Sequence, residues 1–342
     1  MSFNIIGKIP NISELKQRYP IIDSAQKIKN EKELEIENII RGKSNKFILV
    51  IGPCSTDNEI AILDYAKKIA KIQEEVKDKI LIIIRAYTSK PRTSLKDYKG
   101  LIHSPEILKE ENMILGIELM RKIHTRIINE TGLPIAEELL YTDLYSYMKD
   151  TVSYFAVGAR SVENQQHRLL ASGINQAVGF KNPMNGNIDT AIECILSSRV
   201  KTHCLLEGHE VETSGNDLTH LILRGYQDCN GIDYKNYTNK FLENIIEKFN
   251  NKEIKNPSII IDCNHSNSGK EYELQKNIVK EVLNYKNIGK YVKGFMIESY
   301  LVNGKQNISS NTIYGQSITD GCIGIEDTKK IIKEIYNAFD SL

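Results

Sequence analysis

The stretch Phe47-Ile-Leu-Val-Ile-Gly52 is a short aliphatic run that leads directly into Pro53-Cys-Ser55. A continuous apolar run of this length is typical of a strand that is buried on both faces in a parallel sheet. Comparable runs recur along the whole chain, and most of them are followed by an amphipathic segment. The predicted strands are 47–52, 80–86, 133–138, 154–158, 176–180, a split sixth region at 203–206 and 220–224, 258–262 and 294–298.

Helical periodicity fills the segments between these strands. Glu59 to Val76, for example, places Ile62, Ala66 and Ile69 on one face. Eight strands that alternate with helices predict an α/β fold, a (β/α)8 TIM barrel, with a doubly wound open sheet as the alternative. The barrel domain is expected over residues 46–342. Residues 1–45 form an N-terminal extension that we expect to make oligomer or regulatory contacts.

Charge and cysteine content exclude some classes of function. The 342 residues carry 45 Lys and Arg against 44 Asp and Glu, a net charge of +1. This balance argues against a nucleic-acid-coating protein, which needs a large basic excess. No aliphatic run approaches the ~20 residues that span a bilayer, so no membrane partner is expected. Six cysteines without a C-x-x-C pair indicate reduced thiols and a cytoplasmic location.

Cationic side chains follow most of the predicted strands. In TIM-barrel enzymes the active site lies at the carboxyl ends of the strands. A single such cation is more often a solvated charge just past the strand, but cations at so many strand ends indicate a shared pocket. They would repel one another unless an anion joined them, which predicts a substrate with several negative charges, such as two phosphates and a carboxylate. The cations are Arg85, Lys90, Arg92, Arg160, Lys181 and Arg224.

A second set of strand-end residues has the chemistry of a metal site. Cys54, His265, Glu298 and Asp320 offer one thiolate, one imidazole and two carboxylates. This mixture of soft and hard ligands suits a divalent Mn, Fe, Co or Zn ion. The alternatives are an inert, buried Cys54 and a structural, hydrogen-bonded His265. No glycine-rich loop matches a nucleotide-binding pattern.

Taken together, the motifs at the strand ends resemble the class I 3-deoxy-D-arabino-heptulosonate 7-phosphate (DAHP) synthases of the microbial type. The resemblance extends from about Ser13 to the C-terminus. It implies a TIM barrel that performs the first step of the shikimate pathway, the condensation of phosphoenolpyruvate with erythrose 4-phosphate. The motifs are Ile51-Gly-Pro-Cys-Ser55, Lys90-Pro-Arg-Thr93, Gly158-Ala-Arg160, Leu170-Ala-Ser-Gly173, Val178-Gly-Phe-Lys-Asn182, Leu223-Arg-Gly225, His265-Ser-Asn267, Glu298-Ser299 and Ser317-Ile-Thr-Asp320.

The resemblance also implies roles for individual residues. The phosphate of phosphoenolpyruvate would be held by Arg160, Lys181 and Arg224, with backbone near Glu138 and Ala159. Its carboxylate would be held by Arg85 and Lys90. Erythrose 4-phosphate would be received by Pro91, Arg92 and Thr93. The metal would be bound by Cys54, His265, Glu298 and Asp320, with Asp320 also near substrate and with catalytic roles for Lys90, Cys54 and His265.

Three segments depart from the pattern of the family. They are Leu139-Leu-Tyr141, Asn182-Pro-Met-Asn-Gly186 and a shortened stretch between Cys204 and Thr213. The N-terminal extension favours a homodimer or homotetramer. The resemblance implies an aromatic amino acid as a candidate inhibitor, bound near strand five and the N-terminal extension. The shortened stretch leaves the choice of aldose phosphate open.

Three other functions compete with this hypothesis. One is a related phosphoenolpyruvate-dependent synthase that uses a different aldose phosphate. A second is a Schiff-base aldolase in which Lys181 is the nucleophile. The third is a catalytically silent relative that only binds an effector.

Overall fold

The computed structural model describes residues 2–92, 97–285 and 289–339, so that Thr93 lies outside the described residues. Eight parallel strands close into a barrel, in which Phe47–Gly52 pairs with both Ile80–Arg85 and Val292–Glu298. The predicted TIM barrel is therefore confirmed, and the open sheet is excluded. The barrel strands are β1 Phe47–Gly52, β2 Ile80–Arg85, β3 Ile135–Glu138, β4 Tyr154–Val157, β5 Ala177–Lys181, β8 Thr219–Leu223, β11 Ile259–Asp262 and β12 Val292–Glu298; β6 His203–Leu206, β7 His209–Glu212, β9 Tyr226–Gln227 and β10 Asp233–Tyr234 lie outside it.

Helices precede the barrel and connect its strands. The helix α3 begins at Glu59 because the Asn58 side chain accepts hydrogen bonds from the amides of Ile60 and Ala61. Within the described part of the chain, no helix is both long and apolar enough to cross a membrane. The helices are α1 Ile12–Arg18, α2 Asp23–Ile40, α3 Glu59–Val76, α4 Met113–Thr131, α5 Tyr145–Met148, α6 Gln165–Ala171, α7 Ile188–Ser198, α8 Asn239–Asn251, α9 Gln275–Leu283 and α10 Ile325–Ala338.

The predicted sixth strand is wrong in its first half. Only Thr219–Leu223 enters the barrel, whereas 203–206 pairs antiparallel with 209–212 in a separate hairpin. Burial alternates along this strand, and Leu205 is 84% exposed. Such alternation is the pattern of a strand with one face in solvent, whereas barrel strands of the same length, such as Ile259–Asp262, are buried throughout.

Helix α2 closes the amino-terminal end of the barrel. Its Ile36, Ile39 and Ile40 join the same buried cluster as the inward-facing residues of the strands. The hydroxyl of Ser258 donates to the carbonyl oxygen of Ile40 at 2.9 Å and fixes the end of this helix. Because apolar side chains fill this end, polar chemistry is confined to the opposite end. The inward-facing partners include Ile48, Val50, Leu81, Ile83, Ala136, Ile260 and Met296.

Candidate active site

Close contact between β1 and β2 brings Cys54 to Arg85. A Cβ atom on Gly52 would lie 2.2 Å from the carbonyl oxygen of Arg85, so only glycine permits this approach. Arg85 is fully buried; its Nη1 donates to the carbonyl oxygen of Cys54 at 2.9 Å, and its Nη2 lies 3.0 Å from Glu298 Oε1. Its guanidinium also stacks 3.9 Å from the ring centre of Tyr87. The side chain is therefore fixed from several directions.

Three of the four predicted metal ligands meet in one place. The ligand atoms of Cys54, Glu298 and Asp320 lie within 4.8 Å of one another. Burial, followed by the Glu298 carboxylate, raises the pKa of the Cys54 thiol. A divalent cation would displace the thiol proton and offset both carboxylates. This buried thiol–carboxylate group therefore fits the predicted metal.

His265 lies outside that group of three but lines the same cavity as Asp320. Its Nδ1 is 2.9 Å from Asp262 Oδ2, and burial lowers the pKa of its imidazole. A neutral imidazole with a carboxylate on one nitrogen is the usual arrangement of metal-ligating histidines, because it leaves the other nitrogen free to bind. The chemistry of His265 therefore fits a metal ligand, although its ring nitrogens do not lie close enough to the ligand atoms of Cys54, Glu298 and Asp320 to form one cluster with them.

A cavity of about 130 Å³ opens at the carboxyl ends of the barrel strands. It brings together residues from most of the strand ends. Cys54, Arg85 and Glu298 do not line it; they are linked to it through Lys90, whose Nζ lies 2.9 Å from Cys54 O and 3.2 Å from Cys54 Sγ. The predicted residues on its wall are Lys90, Pro91, Arg92, Glu138, Ala159, Arg160, Lys181, Arg224, His265 and Asp320.

The cations of this cavity differ in how their charge is offset. Lys181 Nζ lies 3.0 Å from Asp262 Oδ2, and both groups are buried. Arg224 is buried as well, yet neither it nor the exposed Arg160 forms an ion pair within the described part of the chain. Burial lowers the pKa of Arg224. A buried guanidinium without a carboxylate is costly, which is the expected signature of a site that an anion completes.

The structure adds wall residues that the sequence analysis did not select. Lys270 lies 3.8 Å from Asp320 Oδ1, and Gln227 and Met184 face the cavity from neighbouring loops. Lys270 ends the polar loop that begins at His265, so its position after β11 was an available signal. Gln227 and Met184 give no such signal, because they are brought together by contacts between distant segments, among them the hydrogen bond from Gln227 N to Met184 O at 3.0 Å.

The fold and the cavity define a barrel enzyme that acts on small substrates with several negative charges. The model of the DAHP synthetase I family matches residues 22–333. The chain therefore belongs to this family, and it is a DAHP synthase, a transferase of aromatic biosynthesis, as the sequence predicted.

Individual relatives match over nearly their whole length. The phospho-2-dehydro-3-deoxyheptonate aldolase of Haemophilus influenzae is 36% identical over 95% of this chain and 90% of its own. The Phe-sensitive aldolase of the same name from Escherichia coli K12 is 36% identical over 95% and 92%. The structure of the Francisella tularensis aldolase superposes with a TM-score of 0.92 at 32% identity, covering 98% and 99% of the two chains. Other relatives are named Trp-sensitive and tyrosine-inhibited.

Proposed function

We propose that this chain condenses phosphoenolpyruvate with erythrose 4-phosphate in the cavity at the carboxyl ends of the barrel strands. The observation that carries the proposal is the convergence of five of the six predicted cations on one cavity beside the thiol–carboxylate group. Two phosphates and a carboxylate match this number of cations. The cations are Lys90, Arg92, Arg160, Lys181 and Arg224.

The proposed binding mode follows the distribution of charge. Arg224, Lys181 and Arg160 hold the phosphate of phosphoenolpyruvate beside the backbone of Glu138 and Ala159. Arg85 and Lys90, which both contact Cys54 O, face its carboxylate. Pro91 and Arg92 receive erythrose 4-phosphate; Thr93, which lies outside the described residues, is assigned to the same group by the resemblance alone. This arrangement places the enolpyruvate next to the thiol–carboxylate group.

The reaction forms two bonds and breaks one. C3 of phosphoenolpyruvate bonds to the aldehyde carbon, and a water molecule adds its hydroxyl at C2 while its proton goes to the former aldehyde oxygen. The bond from C2 to the phosphate oxygen then breaks, the C2 hydroxyl loses its proton, and the C2 ketone and phosphate are released. Cys54, His265, Glu298 and Asp320 would hold a divalent metal, which when bound polarises the aldehyde carbonyl. Lys90 is the cation between this group and the cavity, and it keeps positive charge beside the reacting carbons.

The Schiff-base alternative receives little support from the geometry. A lysine nucleophile must lose its proton, whereas Lys181 Nζ lies 3.0 Å from the buried Asp262 carboxylate. Held by this carboxylate, the nitrogen is not placed as a free nucleophile. Lys181 is therefore better suited to binding an anion.

Phosphate release tests the proposal. The enzyme is given phosphoenolpyruvate with erythrose 4-phosphate, with arabinose 5-phosphate or with no aldose, each before and after treatment with a chelator and re-addition of Mn, Fe, Co or Zn. We expect rapid release only with erythrose 4-phosphate and metal. Faster release with arabinose 5-phosphate would favour a different aldose, activity after chelation with borohydride trapping would favour the lysine aldolase, and no release with any metal would indicate a silent relative.

A second cavity supports regulation by an aromatic amino acid. It encloses about 780 Å³ between α1, α6 and the β6–β7 hairpin, and we call it the hairpin cavity. Its aliphatic wall suits an aromatic ring, and its carboxylates suit an amino group. The names of the relatives include phenylalanine, tryptophan and tyrosine sensitivity. Its main wall residues are Ile12, Asp143, Tyr147, Leu169, Leu170, Leu205, Leu206, Glu207 and Glu210.

The N-terminal segment supports the proposal of a homodimer or homotetramer. Ile5 and Ile6, which lie before α1, are 96% and 98% exposed in the single chain. Exposed aliphatic residues in series are typical of a surface that a partner covers. Analytical ultracentrifugation tests this, and a monomer at micromolar concentration would contradict it. All six cysteines are free thiols, which supports a reducing, cytoplasmic location.

A further inference from the structure

Glu137 is a buried carboxylate that the reaction does not use. It precedes Glu138 at the end of β3, but it does not line the catalytic cavity. It shares the helix-facing side of the barrel wall with His124 of α4, whose Nε2 lies 3.4 Å from Glu137 Oε2. A buried carboxylate is costly unless its oxygens accept hydrogen bonds. The donors that Glu137 receives therefore indicate what it does.

Those donors come from the two segments that carry site residues. The Thr88 amide lies 2.9 and 3.0 Å from the two Glu137 oxygens, and the Thr88 hydroxyl donates to Oε2 at 2.8 Å. The Glu138 amide donates to Oε1 at 2.9 Å. Hydrogen bonds to a charged acceptor are about twice as strong as neutral ones. Glu137 thereby joins the chain before Lys90 to the chain at Glu138.

The Glu137 carboxylate accepts a backbone hydrogen bond at the point where the backbone pairing between β2 and β3 ends. The last backbone bond between the two strands runs from Ala86 N to Ala136 O at 3.0 Å. The next amide on the same side, that of Thr88, bonds to the Glu137 side chain. On its other side, the Thr88 carbonyl accepts from Ile102 N at 3.1 Å, so the residue is held from both directions.

We propose that Glu137 is a positioning residue of the synthase, which acts through Thr88 to hold Lys90 against Cys54. Lys90 follows Thr88 by two residues, and its Nζ reaches both the carbonyl oxygen and the sulfur of Cys54. Movement of the Thr88 segment would carry the ammonium away from the phosphoenolpyruvate carboxylate. The inference rests on the proposed role of Lys90 in binding that carboxylate.

The first test replaces Glu137 by glutamine. Glu137→Gln keeps the shape but removes the charge and turns one oxygen into an amino group. Both oxygens accept from the Thr88 amide, so in either orientation of the glutamine a donor faces that amide. Because small displacements at a reacting centre cost up to ~100-fold, we expect the KM for phosphoenolpyruvate to rise ~10- to 100-fold. The KM for erythrose 4-phosphate should rise less. A folded Glu137→Gln enzyme with an unchanged KM for phosphoenolpyruvate would overturn the proposal.

A matched control separates positioning from stability. Asp150 forms a bidentate pair with the buried Arg121, at 3.1 and 3.0 Å, away from the catalytic cavity. Asp150→Asn should lower the melting temperature and leave the KM for phosphoenolpyruvate unchanged. An equal rise in KM for Asp150→Asn and Glu137→Gln would show that the effect is general destabilisation and would overturn the proposal.

A second pair of variants decides the case if Glu137→Gln does not fold. Thr88→Val removes only the hydroxyl donor, and Thr88→Ser retains it. Loss of one hydrogen bond to a charged group should raise the KM for phosphoenolpyruvate ~10-fold in the valine enzyme, while serine stays near wild type. Equal KM values for the two variants would overturn the proposal. Lys90→Ala tests the underlying role separately: an unchanged KM there refutes the assignment of Lys90 itself, whatever Glu137 does.

Discussion

The catalytic cavity and the hairpin cavity are built on different principles. The first holds six cations around about 130 Å³, and its residues come from the segments that follow strand ends fixed by the closed barrel. The second encloses about 780 Å³, is aliphatic with carboxylates, and depends on an exposed hairpin outside the barrel. The barrel therefore constrains the chemistry, while the length and composition of the hairpin can change without disturbing it. Catalysis and inhibition should accordingly respond to different substitutions.

The largest effect should follow removal of the buried thiol. Even substitutions of residues that only support metal ligands cost 10- to 100-fold, so Cys54→Ala should lower metal-dependent turnover by at least ~100-fold. Circular dichroism should show an intact fold, and the affinity of the hairpin cavity for an aromatic amino acid should not change. Cys229→Ala, which alters an exposed thiol, is the matched control. Full activity of the Cys54→Ala enzyme after chelation and dialysis would refute the ligand assignment.

A smaller effect should distinguish two arginines of the catalytic cavity. Arg224 is buried and Arg160 is exposed, so solvent screens only the second. Arg224→Ala should raise the KM for phosphoenolpyruvate ~30- to 150-fold, the equivalent of ~2–3 kcal/mol for a charge-assisted pair. Arg160→Ala should raise it less. Steady-state kinetics with both substrates measure the difference, and a larger effect at Arg160 would contradict the proposed phosphate site.

The smallest effect concerns the hairpin cavity. Glu207 faces it from the turn between β6 and β7, where it accepts from Ser146 and lies 3.4 Å from Lys149 Nζ. Glu207→Gln should weaken inhibition by the effective aromatic amino acid ~3- to 10-fold, because one charge-assisted bond to the amino group is lost. The turnover number should not change. Glu212 lies on the same hairpin but does not line the cavity, so Glu212→Gln is the control and should leave inhibition intact. If Glu207→Gln changed turnover and left inhibition unchanged, the hairpin cavity would serve catalysis, and the separation of the two cavities would be contradicted.

Sequence patterns predict which side chains meet at the carboxyl ends of the barrel strands. Buried parallel strands have continuous apolar runs, and a polar residue such as Lys181 or Arg224 directly after such a run lies at the same end of the barrel as the others. The rule needs no knowledge of side-chain contacts. It therefore located most of the cavity wall without the structure.

The same patterns could not predict contacts between distant segments. The pairing of His265 with Asp262 depends on the left-handed backbone at His265, with φ of 54°, which composition does not reveal. Residues 203–206 are predicted to belong to a barrel strand rather than to a hairpin with 209–212, because three apolar residues have no resolvable period. The hairpin cavity joins α1 to α6 and to that hairpin, and no local pattern records such a meeting.

The barrel closes by pairing β1 with β12, so it cannot close until both strands have been synthesised. The ribosome adds ~5–20 residues per second, so on the order of tens of seconds pass between the synthesis of Gly52 and that of Val292. During this interval one edge of β1 has no final partner, although its residues are among the most apolar of the chain. The nascent protein therefore has an unpaired, apolar strand edge until almost the whole chain has been synthesised. We expect its folding to depend on chaperones that shield such edges.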